Sequence, residues 1–143
     1  MAALTREQTD TVKNLAFAEA GSDPNEIVAV VSTIMNNIDR FGFDRAMKFF
    51  AAFTKKSPQF RMAEGGEFDD ASRKKFSDVN FTVDALAGET PEGARLPFTN
   101  FENVNAFGDP PFADKATSQM DIGQQRFFTI PQNAPRRRAL IGR

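Results

Sequence analysis

Ala16-Phe17-Ala18-Glu19-Ala20-Gly21, with Asp23-Pro24-Asn25-Glu26 just after it, is the stretch on which the fold of this chain turns. Val12, Leu15 and Ala16 recur at the i, i+3, i+4 spacing of a buried helical face, and Glu19 is the i+7 position of the same stripe. A carboxylate therefore falls where the period asks for an apolar side chain, in the last turn before a glycine. Carboxylates are rarely buried without a partner, because desolvating the charge is costly. Three readings follow. Glu19 is partnered, or its pKa is pushed up as the acid of glycosidic-bond cleavage requires, or it is a helix-end residue on a lip between core and solvent.

Upstream, Thr5-Arg6-Glu7-Gln8 reads as a capping box, so the spacing predicts a helix from there to about Ala20, stopped by Gly21. Downstream, Asp23 as N-cap, Pro24 at the first helical position and Glu26 at the third start a second helix. Its stripe of Ile27, Val31, Ile34 and Ile38, widened by Val28, Val30 and Met35, makes it the expected centre of the core, ending at Phe41-Gly42. The connection is short enough to fold the two helices back on each other, with Glu19 beside the loop. Asp44 to about Lys55 reads as a third helix whose Ala46, Phe49, Phe50 and Phe53 are expected in the core. Asp70 to Ala87 reads as a fourth, with Phe76, Val79, Val83 and Leu86 facing inward and Gly88 as its cap. The acidic stretch between them (Glu64, Glu67, Asp69, Asp70) is read as solvated loop and caps, or as the source of a second carboxylate. Beyond Gly88 the turn chemistry of Thr90-Pro91-Glu92-Gly93, Leu96-Pro97-Phe98 and Gly108-Asp109-Pro110-Pro111 replaces helical period, with a short strand-like end near Phe127-Phe128. The expected architecture is mostly α, with a long loop-rich C-terminal half and at most a short β element. Residues 1–130 form the domain and 131–143 a basic tail.

Composition narrows the chemistry. The chain has 143 residues, a net charge of −1, and neither histidine nor cysteine, so a Ser-His or Cys-His nucleophile, an imidazole base and a disulfide have no residues to form from. Acid–base work must run on carboxylates. Near-neutral charge gives no global field for nucleic acid or an anionic membrane, and no run approaches the ~20 apolar residues of a membrane span. The 16 phenylalanines come with no tyrosine or tryptophan. Nothing in the chain calls for a metal or cofactor.

In their order these motifs make the chain resemble the cell-wall hydrolase family of the spore-cortex-lytic enzyme type. The family's Glu-Ala-x-Gly is matched by Glu19-Ala20-Gly21 with the spacer missing, and its helix end Asn-Arg by Asn36-Asn37 after Met35. Its Gln-Phe pair is matched by Gln59-Phe60, and Ala-x-x-Gly by Ala85-Leu86-Ala87-Gly88. Gly-Ala followed by Phe-x-Asn corresponds to Gly93-Ala94 and Phe98-Thr99-Asn100, Pro-Trp-Ala to Pro111-Phe112-Ala113, and Ile-Gly-x-His-x-Phe to the run Ile122 to Phe127. The family's arginine, tryptophan and histidine are thus replaced by Asn37, Phe112 and Gln125. The resemblance spans about Ala16 to Phe128.

That resemblance implies a lysozyme-like helical domain that cuts the β-1,4 bond between N-acetylmuramic acid and N-acetylglucosamine in peptidoglycan. Glu19 takes the role of catalytic acid/base, and Gln59, Phe60, Phe98, Asn100 and Gln125 those of substrate-binding residues, with Phe17 a further candidate for stacking on sugar. Since no second carboxylate stands out at Glu19's spacing, a lytic transglycosylase is expected. There the same carboxylate next acts as base on the sugar's own 6-hydroxyl, whereas a hydrolase needs a partner. The N-terminus, without the layout of a signal peptide, leads to the expectation of a bacteriophage product made in the host cytoplasm and carried in the virion. Arg136-Arg137-Arg138 and the rest of the tail would then dock other virion proteins rather than nucleic acid. The replaced histidine and tryptophan support a different reading, a structural virion protein built on an inactive lysozyme-like domain.

Overall fold

The structure, a computed structural model, describes residues 4–50, 69–87 and 95–134. Helix α1 (Arg6–Glu19) is followed by α2 (Pro24–Phe41), α3 (Phe43–Phe49) and α4 (Asp70–Ala87). Then come strand β1 (Asn100–Glu102), the one-turn helix α5 (Val104–Phe107) and a 3-10 turn at Pro111–Lys115. Strands β2 (Ser118–Ile122) and β3 (Gln125–Thr129) and a last 3-10 turn, Pro131–Asn133, complete the order. The described part is mostly helical with a small antiparallel sheet of strand order β1-β3-β2.

α1 begins at the expected capping box, with Thr5 accepting from the Gln8 N–H and the Gln8 side chain accepting from the Thr5 N–H. α2 is apolar almost all round because it is enclosed almost all round. Ile27, Val30, Val31, Ile34, Met35 and Ile38 are buried, and α1, α3, α4, β1 and β2 all pack against the helix. From α4, Val79, Val83 and Leu86 enter the same core, and the half-buried Phe76 meets Phe17 with ring centroids 5.5 Å apart. Phe17 thus packs between α1 and α4, on a surface away from the sugar-stacking role considered for it.

Two sets of polar contacts then place the C-terminal half. On α2, Asn36 Nδ2 donates to the carbonyls of Leu96 and Phe98, both at 2.9 Å, and Asn37 Nδ2 donates to the Thr99 carbonyl at 2.9 Å. Ser32 Oγ accepts from the Leu96 N–H at 3.1 Å. Backbone groups with no ladder partner are thereby satisfied inside the core, where leaving them bare costs about 1–3 kcal/mol each. The second set is built on Glu26. It is 1% exposed, and its carboxylate accepts from the Gly21 N–H in the α1–α2 turn and from the Gln124 N–H, at 2.8 Å, in the β2–β3 turn. Lys75, whose ammonium lies 4.5 Å over the Phe17 ring, is pushed down in pKa by burial, and the Glu26 charge opposes that shift.

Several expectations change here. Glu26 is not the closing residue of a capping box; Asp23 alone caps α2, accepting from Asn25 N–H at 2.8 Å. Gly21 does not end α1 by a left-handed turn: the cap is Ala20 in extended conformation, and a Cβ at Gly21 would overlap the Glu26 carboxylate. Gly123 combines a φ of +61° with the same overlap, so the β2–β3 turn needs glycine for two reasons. The short β element has become a three-stranded sheet, because Ile122-Gly123-Gln124-Gln125 is a hairpin turn between two strands. α3 ends at Phe49, with Phe50 as its cap, and Phe49 is 54% exposed instead of joining the core. Phe53, Gly88 and residues 135–143 lie outside the described residues, whereas Pro131–Asn133 pack on the domain, Gln132 accepting from Arg40 at 3.4 Å.

Replacing Glu26 by alanine removes the shared acceptor of two part-buried N–H groups and is expected to lower unfolding free energy by about 2 kcal/mol in urea titrations. Gly123→Ala is expected to cost at least about 1 kcal/mol for the positive φ alone. Stabilities within ~0.5 kcal/mol of wild type for both would remove Glu26 as the tie between the turns.

Candidate functional site

The end of α1 and strand β1 both line a cleft of about 740 Å³. One wall is the last turn of α1 and the face of α2 beside it, contributing Ala18, Glu19, Thr33 and Asn37. A second wall is aromatic: Phe41, Phe49 and Phe50, with Phe41 and Phe49 edge to face at 5.4 Å and the Arg45 guanidinium 5.1 Å over the Phe41 ring. β1 and α5 supply Asn100, Phe101, Glu102, Asn103 and Phe107, and Phe112, Gln125 and Asn133 complete the lining. Phe49 and Phe107, at 54% and 77% exposure, are the open aromatic faces of the site. The lining combines amide side chains with aromatic rings, polar groups beside apolar faces.

Among the described residues, Glu19, Arg45 and Glu102 are the charged ones in this lining. Burial at the helix end pushes the Glu19 carboxyl up to about 7, and the negative charge of Glu102 adds to the shift. Among the described residues neither glutamate is held in an ion pair. Glu19 is positioned from below: the Gln125 side chain donates from Nε2 to the Glu19 carbonyl at 3.0 Å, tying the end of α1 to the start of β3. A glutamine serves here because the acceptor is a backbone carbonyl, which needs a donor and no proton exchange. Phe112 packs edge to face on Phe128 at 5.2 Å and presents its ring to the cleft.

The structure thus brings together Glu19, Asn100 and Gln125 from the expected site. Phe98 is corrected: it is 4% exposed, packed on Phe127 at 5.2 Å, and holds the core instead of meeting a ligand. Gln59 and Phe60 lie outside the described residues, as do Glu64 and Glu67. Asp69 is an exposed cap that accepts from the Ser72 N–H at 2.7 Å, which lowers its pKa. The second carboxylate of the cleft is Glu102, which no motif or spacing singled out. Its one local signal was alternation in Asn100-Phe101-Glu102, which puts Asn100 and Glu102 on one face of a strand. Phe49 and Phe107 were equally silent. Among the described residues no group of three or more acidic side chains gathers to hold a metal ion, and no helix is long and apolar enough to cross a membrane.

No family model, curated protein or solved structure matches this chain.

A carboxyl that is more basic when folded favours the folded state below its unfolded pKa of 4.5, and that contribution is lost as pH rises through about 7. Glu19→Gln cannot ionise. Between about pH 5 and 8 it is therefore expected to lose less stability than wild type, by on the order of 1 kcal/mol once solvent screening at this part-exposed site is allowed for. Denaturant titrations at both pH values, with NMR titration of the Glu19 carboxyl carbon, check this; parallel losses and an unshifted carboxyl would contradict it.

Proposed function

We propose that this chain cleaves the β-1,4 glycosidic bond of peptidoglycan, between N-acetylmuramic acid and N-acetylglucosamine, with Glu19 as the acid. The observation that carries the reading is a carboxyl at a helix end in the lining of a ligand-sized cleft, where burial pushes it up to about 7. Glycosidic cleavage needs such a group: an acid still protonated at working pH, aimed at a leaving oxygen that is otherwise a poor leaving group. A mostly helical domain with the acid at the end of its first helix and a small sheet flanking the cleft is the arrangement expected of a lysozyme-like fold. The amides of Asn100, Asn103 and Asn37 supply donors and acceptors for acetamido and hydroxyl groups. Phe49 and Phe107 supply faces on which pyranose C–H groups can stack.

A competing reading is an inactive lysozyme-like domain serving as a structural part of a virion. The replacement of the family's histidine and tryptophan by Gln125 and Phe112 favours it. Both positions nonetheless carry work in this cleft, one holding the Glu19 carbonyl and the other contributing to the lining.

Digestion of purified peptidoglycan, with mass spectrometry of released fragments, separates the two. Wild type is expected to release muropeptides, with a rate that falls above about pH 7 as Glu19 ionises. Glu19→Gln, folded, is expected to be slower by about 10³-fold. No release by folded wild-type protein would support the structural reading.

A further inference from the structure

We infer that Glu102 is the second carboxylate of this cleft, accepting a proton from a water that attacks the anomeric carbon, so that the reaction is a hydrolysis. The inference rests on the glycan-cleavage reading and goes beyond it in naming the group that decides the product. The expectation of a transglycosylase rested on the lack of a partner for Glu19 along the sequence. In the folded chain that partner is 83 residues away, at the end of β1 and in the lining of the same cleft.

The surroundings of Glu102 suit a base. Its register partner on β3 is Arg126, but that guanidinium is taken up by Asp121 at 2.7 Å and Asp109 at 3.2 Å. Arg45, the cation of the lining among the described residues, stands over the Phe41 ring. One carboxylate oxygen of Glu102 accepts from the Asn103 N–H at 3.2 Å, which orients the group. The other oxygen has no hydrogen-bond partner among the described residues and is left for water. Glu19 feels Glu102 as a charge, and feels it less than its own burial. Both groups line one cleft, Glu19 from the end of α1 and Glu102 from the end of β1. A single-displacement glycosidase works through two carboxyls that share a cleft with a water.

The step balances as follows. The Glu19 carboxyl gives its proton to the glycosidic oxygen as the bond from that oxygen to the anomeric carbon breaks. The water oxygen bonds to the same carbon from the opposite face, and its proton passes to Glu102. One water is consumed, and the products are a free 4-hydroxyl on one sugar and a reducing hemiacetal on the other. Solvent then carries the proton from Glu102 back to Glu19. A transglycosylase would consume no water and would close an internal anhydro ring.

The test is digestion of purified peptidoglycan by the full chain in heavy-oxygen water. Wild type is expected to yield reducing-end muramic acid carrying the label. Glu102→Gln is expected to lower kcat by about 10²- to 10³-fold at every pH, with KM little changed. Glu102→Ala is expected to be equally slow and to recover in part when formate is added, since a small carboxylate entering the vacated space can activate the water. Formate rescue reads out a chemical role that a merely structural residue would not show. Anhydro products from wild type, with Glu19→Gln inactive, would overturn the role of Glu102 and leave the glycan-cleavage reading standing. A Glu102→Gln enzyme that keeps wild-type kcat and only shifts its pH limb would reduce Glu102 to a charge that tunes Glu19. Failure of wild type to cleave anything would overturn both readings.

Discussion

The Glu26 carboxylate, buried between the α1–α2 turn and the β2–β3 turn, is the contact on which the arrangement of this protein depends. Accepting from the Gly21 and Gln124 N–H groups, it fixes where α1 stops and where β3 begins. Those two points carry Glu19 and Gln125, the second of which holds the carbonyl of the first. The site is therefore assembled by backbone geometry set one layer below it. Two glycines make the approach possible, since a methyl group at either would occupy the space of the carboxylate. A buried charge that satisfies main-chain donors is costly to desolvate and costly to remove. It is well suited to fixing one relative placement of two turns.

Around that tie, α2 plays a double part. Its apolar residues form the centre of the core, while Ser32, Asn36 and Asn37 bind the backbone of residues 96–99. Asn36-Asn37 near the end of α2 and Phe98-Thr99 before β1 are thus the two halves of a single contact. The Asn37 amide joins the helix to the chain just before β1 by donating to the Thr33 and Thr99 carbonyls. By pinning the chain just before β1, these amides deliver Asn100 and Glu102 to the cleft. The aromatic residues divide accordingly: Phe98 and Phe127 fill the core, whereas Phe49 and Phe107 face the opening.

The chemistry follows from unequal surroundings. Glu19 sits at a buried helix end and keeps its proton, and Glu102 lies half-buried on a strand end with its register-paired arginine engaged elsewhere. Under the glycan-cleavage reading proposed above, these two glutamates divide acid and base roles that a chain without histidine must place on carboxylates.

By itself the sequence determined the helices of the first half and the position of Glu19. Capping residues and the 3.6-residue period act over a few neighbours, so Thr5, Asp23 and the stripe along α2 could be read directly. Turn chemistry was legible in the second half, but the pairing of Ser118–Ile122 with Gln125–Thr129 was not. β2 is largely exposed and carries too little apolar alternation to announce itself. Glu26 looked like a cap because its spacing from Asp23 fits one; its burial depends on a turn 98 residues further on. Glu102 and the open faces of Phe49 and Phe107 were likewise decided by tertiary structure alone. Which side chains share a cleft depends on contacts between distant segments, and no local period or spacing encodes those.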